Sequence, residues 1–93
     1  MMKTYLISYD LNNKSKEYNF LYDEIKKSDT WWHYLESVWV ITSREDLYNV
    51  RMRLQNLLDR DDRLLVIEIH SGQADGWLPT DAWDWLKNNT TIK

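Results

Sequence analysis

At 93 residues the chain has room for one core and not for two, so residues 1–93 read as a single domain. Its 43% apolar and 29% charged residues exclude a disordered polymer, and the absence of cysteine excludes disulfides and thiolate metal centres. A net charge of −3 provides no overall basic field for nucleic acid, although a local patch can still hold phosphate. No stretch approaches the roughly 20 apolar residues of a membrane span, and the N-terminus lacks the charged-then-apolar layout of a signal peptide. The expectation is a soluble cytoplasmic protein without a membrane partner. Six Trp, six Tyr and one Phe exceed what one small core needs, which points some of them towards an interface.

In chain order, Tyr5, Ile7 and Tyr9 alternate with Leu6, Ser8 and Asp10, and this period of two predicts a strand over residues 3 to 10. Asn12 to Lys16 is turn-like. Tyr18, Leu21, Tyr22 and Ile25 then recur as the stripe of an amphipathic helix, expected from about Glu17 to Ser28. "TWWHYLESVWVITS" is too long for one strand, and Leu35 and Glu36 split it into a hairpin. Ser43 followed by Asp46 reads as a capped helix start, and Leu47, Val50, Leu54, Leu57 and Leu58 continue one apolar face until "DRDD" ends it. "RLLVIEIH", Arg63 to His70, is the last strand. Gly72 to Gly76 reads as a loop, and Thr80 as the cap of a short helix holding Trp83, Trp85 and Leu86 within a tail from about residue 77 to 93.

The order β-α-β-β-α-β with a helical tail predicts an α+β, ferredoxin-like two-layer sandwich, with two helices over one face of a four-stranded antiparallel sheet. That fold places the first strand beside the third and the fourth. Its second face is bare, and alternation assigns to it Leu6, Ser8 and Asp10 with Leu64, Val66, Glu68 and His70. This half-apolar set suits a homodimer packed sheet against sheet, aided by Trp77, Trp83 and Trp85 folding over their own sheet edge or a partner's.

Antiparallel pairing puts His70 near Lys3 and Asp10 near Arg63, ends about 20 Å apart at roughly 3.3 Å per residue. Asp10 and His70 of one chain therefore form no catalytic pair. The third strand begins at Ser37, beside Asp10, with Glu36 in the preceding turn. Asp10, Glu36 and Ser37 make a polar cluster whose oxygen ligands suit a hard cation, Mg²⁺ or Mn²⁺. A two-fold axis near Asp10 would add a second copy of it.

The strand ending "YLISYDL", the amphipathic helix and the strand pair holding "ESVWVI" resemble the small CRISPR-associated Cas-two family and its relatives outside CRISPR loci, the VapD-like ribonucleases. "TYLISYDLN", "TWWHYLESVWVI" and "WDWLKNN" are similar to short bacterial proteins grouped as a Cas-two-like SinR family. The resemblance implies a dimeric ferredoxin-like fold, Asp10 as metal ligand, and Ser37 as the serine that opens the family's "SVF" segment. With Asp10 and Ser37 in catalytic roles, it implies a divalent-metal-dependent endonuclease acting on RNA or DNA. Two departures stand out. The family's arginines after the aspartate are replaced here by Lys14 and Lys16, and the phenylalanine of "SVF" by Trp39.

Plainer readings accompany each feature. Asp10, Asn12 and Asn13 can serve only to stop the strand and bond the turn. Trp31 and Trp32 face opposite sides of a strand, so at most one enters the core under the helices, while the other is left to an edge, a dimer contact or base stacking. Arg44, Arg51, Arg53, Arg60 and Arg63 read as a solvated helix face, and His33 and His70 as ordinary strand residues. The alternative to a nuclease is a non-catalytic dimeric module that binds protein or nucleic acid.

Overall fold

The computed structural model describes residues 2–13 and 16–92, so Lys14 lies outside the described residues. In order the elements are β1 (Lys3–Asp10), α1 (Asn19–Ile25), β2 (Thr30–Leu35), β3 (Val38–Ser43), α2 (Leu47–Gln55), β4 (Arg63–Ile69) and α3 (Thr80–Asn89). This is an α+β protein with a four-stranded antiparallel sheet, ordered β2-β3-β1-β4, and three helices. Among the described residues no helix is long and apolar enough to cross a membrane.

Two helices cover one sheet face. Tyr5 and Ile7 of β1 and Trp39 and Ile41 of β3 are buried against Tyr18, Leu21, Ile25, Val50 and Leu54 from α1, α2 and their entries. Full burial of one such large apolar side chain contributes about 1.5–3 kcal/mol, so this layer supplies most of the drive to fold. Arg53 of α2 joins the helices to the rest: its guanidinium donates to Glu24 at 3.0 Å and to Glu45 at 2.9 Å. It is therefore no member of a solvated stripe, since both partners come from outside its own helix. Burial opposes ionisation of Glu24, but Arg53 and Lys27 outweigh it and hold the carboxyl below its ordinary range.

The second face differs from expectation in two ways. Leu6 pairs with Ile67, Ser8 with Leu65 and Asp10 with Arg63, and directly opposed residues share a face. The bare face therefore carries Leu65 and Ile67, not Leu64 and Val66, which pack against the core under the helices. The phase of Glu68 and His70 shifts with theirs. In "RLLVIEI" apolar residues are nearly continuous, so periodicity could not fix which of them point inward.

α3 also folds back over this face. Its buried Ala82 and Leu86, one turn apart, meet Trp32 of β2 and Val40 of β3, and the Trp32 indole N–H donates to the Ala82 carbonyl at 3.1 Å. Trp32 thus enters a second apolar cluster belonging to its own chain. Trp31 remains exposed at the edge strand, its ring centroid 5.6 Å from that of Trp39 and close to the Lys26 ammonium.

Two helix starts also differ. β3 runs on to Ser43, opposite Lys3, so the capping side chain of α2 is that of Asp46, which accepts from the Asn49 N–H at 2.9 Å. For α3 the cap position is Pro79, and Thr80 is already helical with no side-chain capping bond.

Candidate functional site

β1 delivers its C-terminal residues to one end of the sheet, where the turn between β2 and β3 and the entry to α1 converge. Tyr9, Asp10, Leu11, Asn13, Lys16, Tyr18, Tyr22, Glu36 and Ser37 together line a pocket of about 440 Å³. The structure thus gathers Asp10, Glu36 and Ser37 around one cavity. His70 lies towards the other end, beyond the Thr4–Ile69 pair.

The turn carrying Glu36 and Ser37 is fixed by its main chain. The Tyr9 N–H donates to the Ser37 carbonyl at 3.3 Å, and the Tyr9 hydroxyl donates to the Glu36 carbonyl, also at 3.3 Å. His33 Nε2 lies 3.0 Å from that same carbonyl, a contact that requires the proton on Nε2, and its ring stacks on Trp39 at 3.7 Å between centroids. The Trp39 indole N–H in turn donates to the Tyr9 hydroxyl at 3.0 Å. Burial raises the Tyr9 pKa against the lowering effect of that indole bond, so the phenol stays protonated near neutrality and keeps its donor. With both carbonyls engaged, the Glu36 and Ser37 side chains project from a rigid turn. Among the described residues neither the Asp10 nor the Glu36 carboxylate meets a hydrogen-bond or ion-pair partner.

The other wall is tied down from the segment after α2. Asp62, only 8% exposed, accepts from the Asn12 N–H, the Tyr18 hydroxyl and the Asp59 N–H, each at 2.8 Å. Burial by itself would raise its pKa, but these three donors, with Lys16 nearby, lower it. The Tyr18 hydroxyl also accepts from the Asn13 N–H at 3.2 Å, and burial followed by its bond to Asp62 raises its own pKa. Asn12 Nδ2 reaches the Asp61 carbonyl at 2.7 Å, and Asn13 Nδ2 reaches Asp59 at 3.0 Å. The two asparagines after Asp10 are thus anchors across the fold, beyond their local turn role. Lys16 is committed as well: its ammonium donates to Asp59 at 3.2 Å and to the Leu57 carbonyl at 3.1 Å.

Sequence reasoning missed Tyr9, Trp39 and Asp62 as the side chains that hold this site. "DRDD" reads as a charged helix end, and only a partner on a segment about fifty residues away turns one of its carboxylates inward. A signal was present for Tyr9: it is the last inward residue of the strand, next to Asp10.

A metal here would have few protein ligands. Among the described residues no group of three or more His, Asp or Glu side chains is placed to hold an ion. A Mg²⁺-type ion binds through one or two carboxylates and keeps several waters, so the free Asp10 and Glu36 side chains beside an open polar pocket fit a hydrated hard cation. The fold and this geometry define an α+β protein with a preorganised polar pocket at one end of its sheet. No family model matches the chain, and no solved structure matches it.

Proposed function

We propose that the chain is a ferredoxin-like, Cas-two-like homodimer that cleaves RNA or DNA in a divalent-metal-dependent reaction at the Asp10 pocket. The observation that carries this reading is the pair of unpartnered carboxylates, Asp10 and Glu36, beside the Ser37 hydroxyl on a turn whose carbonyls Tyr9 and His33 already occupy. Support for the ferredoxin-like assignment comes from the element order and the β2-β3-β1-β4 sheet. Support for the dimer comes from the part of the second face that α3 leaves uncovered, where Leu65 is 54% and Ile67 46% exposed. Asp10 ends the strand that borders this face, so a two-fold axis there brings a second Asp10 to the first.

In this reading Asp10 and Glu36 hold Mg²⁺ or Mn²⁺, and Ser37 orients one of its waters. The ion, when bound, supplies a water activated for attack on a phosphodiester. Tyr9 and His33 keep the turn from yielding when the carboxylates are drawn together.

A second reading, a non-catalytic dimeric module that binds protein or nucleic acid, rests on Lys16. Its ammonium is spent on Asp59 and the Leu57 carbonyl, so it offers little to a phosphate at the pocket mouth. The test is Asp10→Asn, which keeps an acceptor oxygen for the turn and removes the charge that attracts the ion. Folding and self-association should be nearly unchanged, while Mg²⁺- or Mn²⁺-dependent cleavage should disappear. Cleavage that persists in a clean Asp10→Asn preparation overturns the site. Absence of cleavage by the unmodified protein, across both metals and both nucleic acids, selects the binding module.

A further inference from the structure

Trp77 is 98% exposed, and no other large apolar side chain among the described residues is as bare. An isolated exposed leucine needs no explanation, but a whole indole in water forfeits a contact area of the order of 150–250 Å². Its neighbour Leu78 turns the other way and packs on the cluster of Trp32, Val40, Ala82 and Leu86. Pro79 follows, and a residue before proline is held extended. With Leu78 inward, Trp77 is presented outward on a restrained backbone, so little entropy is lost when it finds a partner.

The same loop borders an apolar slot of about 350 Å³ between α3 and the sheet, whose walls include Leu6, Leu35, Ile69, Ala74, Leu78 and Trp83. Leu35, at the slot's edge, is 47% exposed. The chain's own Trp77 can enter this slot only by turning Leu78 out of the cluster it fills. A second copy suffers no such conflict. Knob and slot lie side by side on one surface of one chain, which is the arrangement an isologous pair satisfies twice at once. The slot also adjoins Leu6, whose β4 partner Ile67 lies on the uncovered sheet face, so the contact continues the surface already proposed to pair.

We infer that Trp77 of each protomer seats in the apolar slot of a second copy and is the anchor of the dimer. This rests on the homodimer of the preceding reading and adds to it the residue and the cavity that recognise each other. No nuclease chemistry is needed for it.

The experiment is sedimentation equilibrium of the full chain from micromolar to millimolar concentration, for the unmodified protein, Trp77→Ala and Ala74→Phe. A central tryptophan removed from an interface weakens it by about 30-fold, and two symmetric copies make roughly 10³-fold for Trp77→Ala. Ala74→Phe fills the slot while leaving Trp77 in place, and should weaken the dimer comparably. Both positions are exposed, so circular dichroism should report an unaltered protomer. A dimer as tight in Trp77→Ala as in the unmodified protein overturns the anchor and leaves sheet-face pairing standing. Loss in Trp77→Ala without loss in Ala74→Phe overturns the slot as the seat. A monomer at every concentration in the unmodified protein overturns the pairing and the anchor together, while the cleavage assay still judges the pocket independently.

Discussion

Removing the Asp62 carboxylate tests whether the loop after α2 holds the pocket wall. In Asp62→Ala the Tyr18 hydroxyl, a buried donor, loses its acceptor, which costs about 1–3 kcal/mol. The amides of Asn12 and Asp59 are only part-buried and can turn to water, so each adds about 0.5–1 kcal/mol. The sum is about 3 kcal/mol, or a fall in Tm of roughly 12–24 °C for a domain of this size. Asp62→Asn behaves differently because Oδ1 takes both Asn12 and Tyr18, whereas Oδ2 takes only Asp59. An amide oxygen at Oδ1 keeps two bonds and sets an NH₂ against the third donor, for a loss of about 1–1.5 kcal/mol. The sign with pH follows from the lowered folded pKa. The carboxylate's contribution is complete above the unfolded value, about 3.9, and is lost as pH falls through the lower folded one. Urea denaturation followed by circular dichroism at fixed protomer concentration, repeated down to acid pH, measures all of this. Asp62→Asn should also show a shallower acid limb. Equal losses for the Ala and Asn variants, or a loss under about 1 kcal/mol for Ala, would refute the reasoning.

Two further outcomes are expected. Ser37→Ala should weaken Mg²⁺ or Mn²⁺ binding by roughly 10- to 100-fold in calorimetric titration if the hydroxyl orients a metal-bound water, and should change stability little in either case. Leu86→Ala removes a nearly buried side chain from the cluster under α3 and should cost about 2–4 kcal/mol. Hydrogen exchange should show that loss concentrated in α3 and β2, with the amides of β1 and β4 still protected.

The local signals in the chain were strong where one face of an element is buried and the other is wet. Alternation in "KTYLISYD" marked β1 to its ends, and the spacing of Leu21 and Ile25, and of Val50 and Leu54, marked the inward stripes of α1 and α2. Once the strands were ordered, the strand directions alone put Asp10 with Glu36 and Ser37 and kept His70 away, because a strand has only two ends. The phase of β4 could not be read in the same way. Both faces of that strand bury or half-bury apolar groups, and only hydrogen-bonded pairing with β1 assigns Leu64 and Val66 to the core and Leu65 and Ile67 to the outside. The placement of α3, the inward turn of Asp62 and the bridging role of Arg53 likewise depend on partners 29 to 50 residues away. Propensity and periodicity act over a turn or a strand, whereas a carboxylate or an indole becomes a buried anchor only when the tertiary fold brings its donor or its acceptor within 3 Å or so.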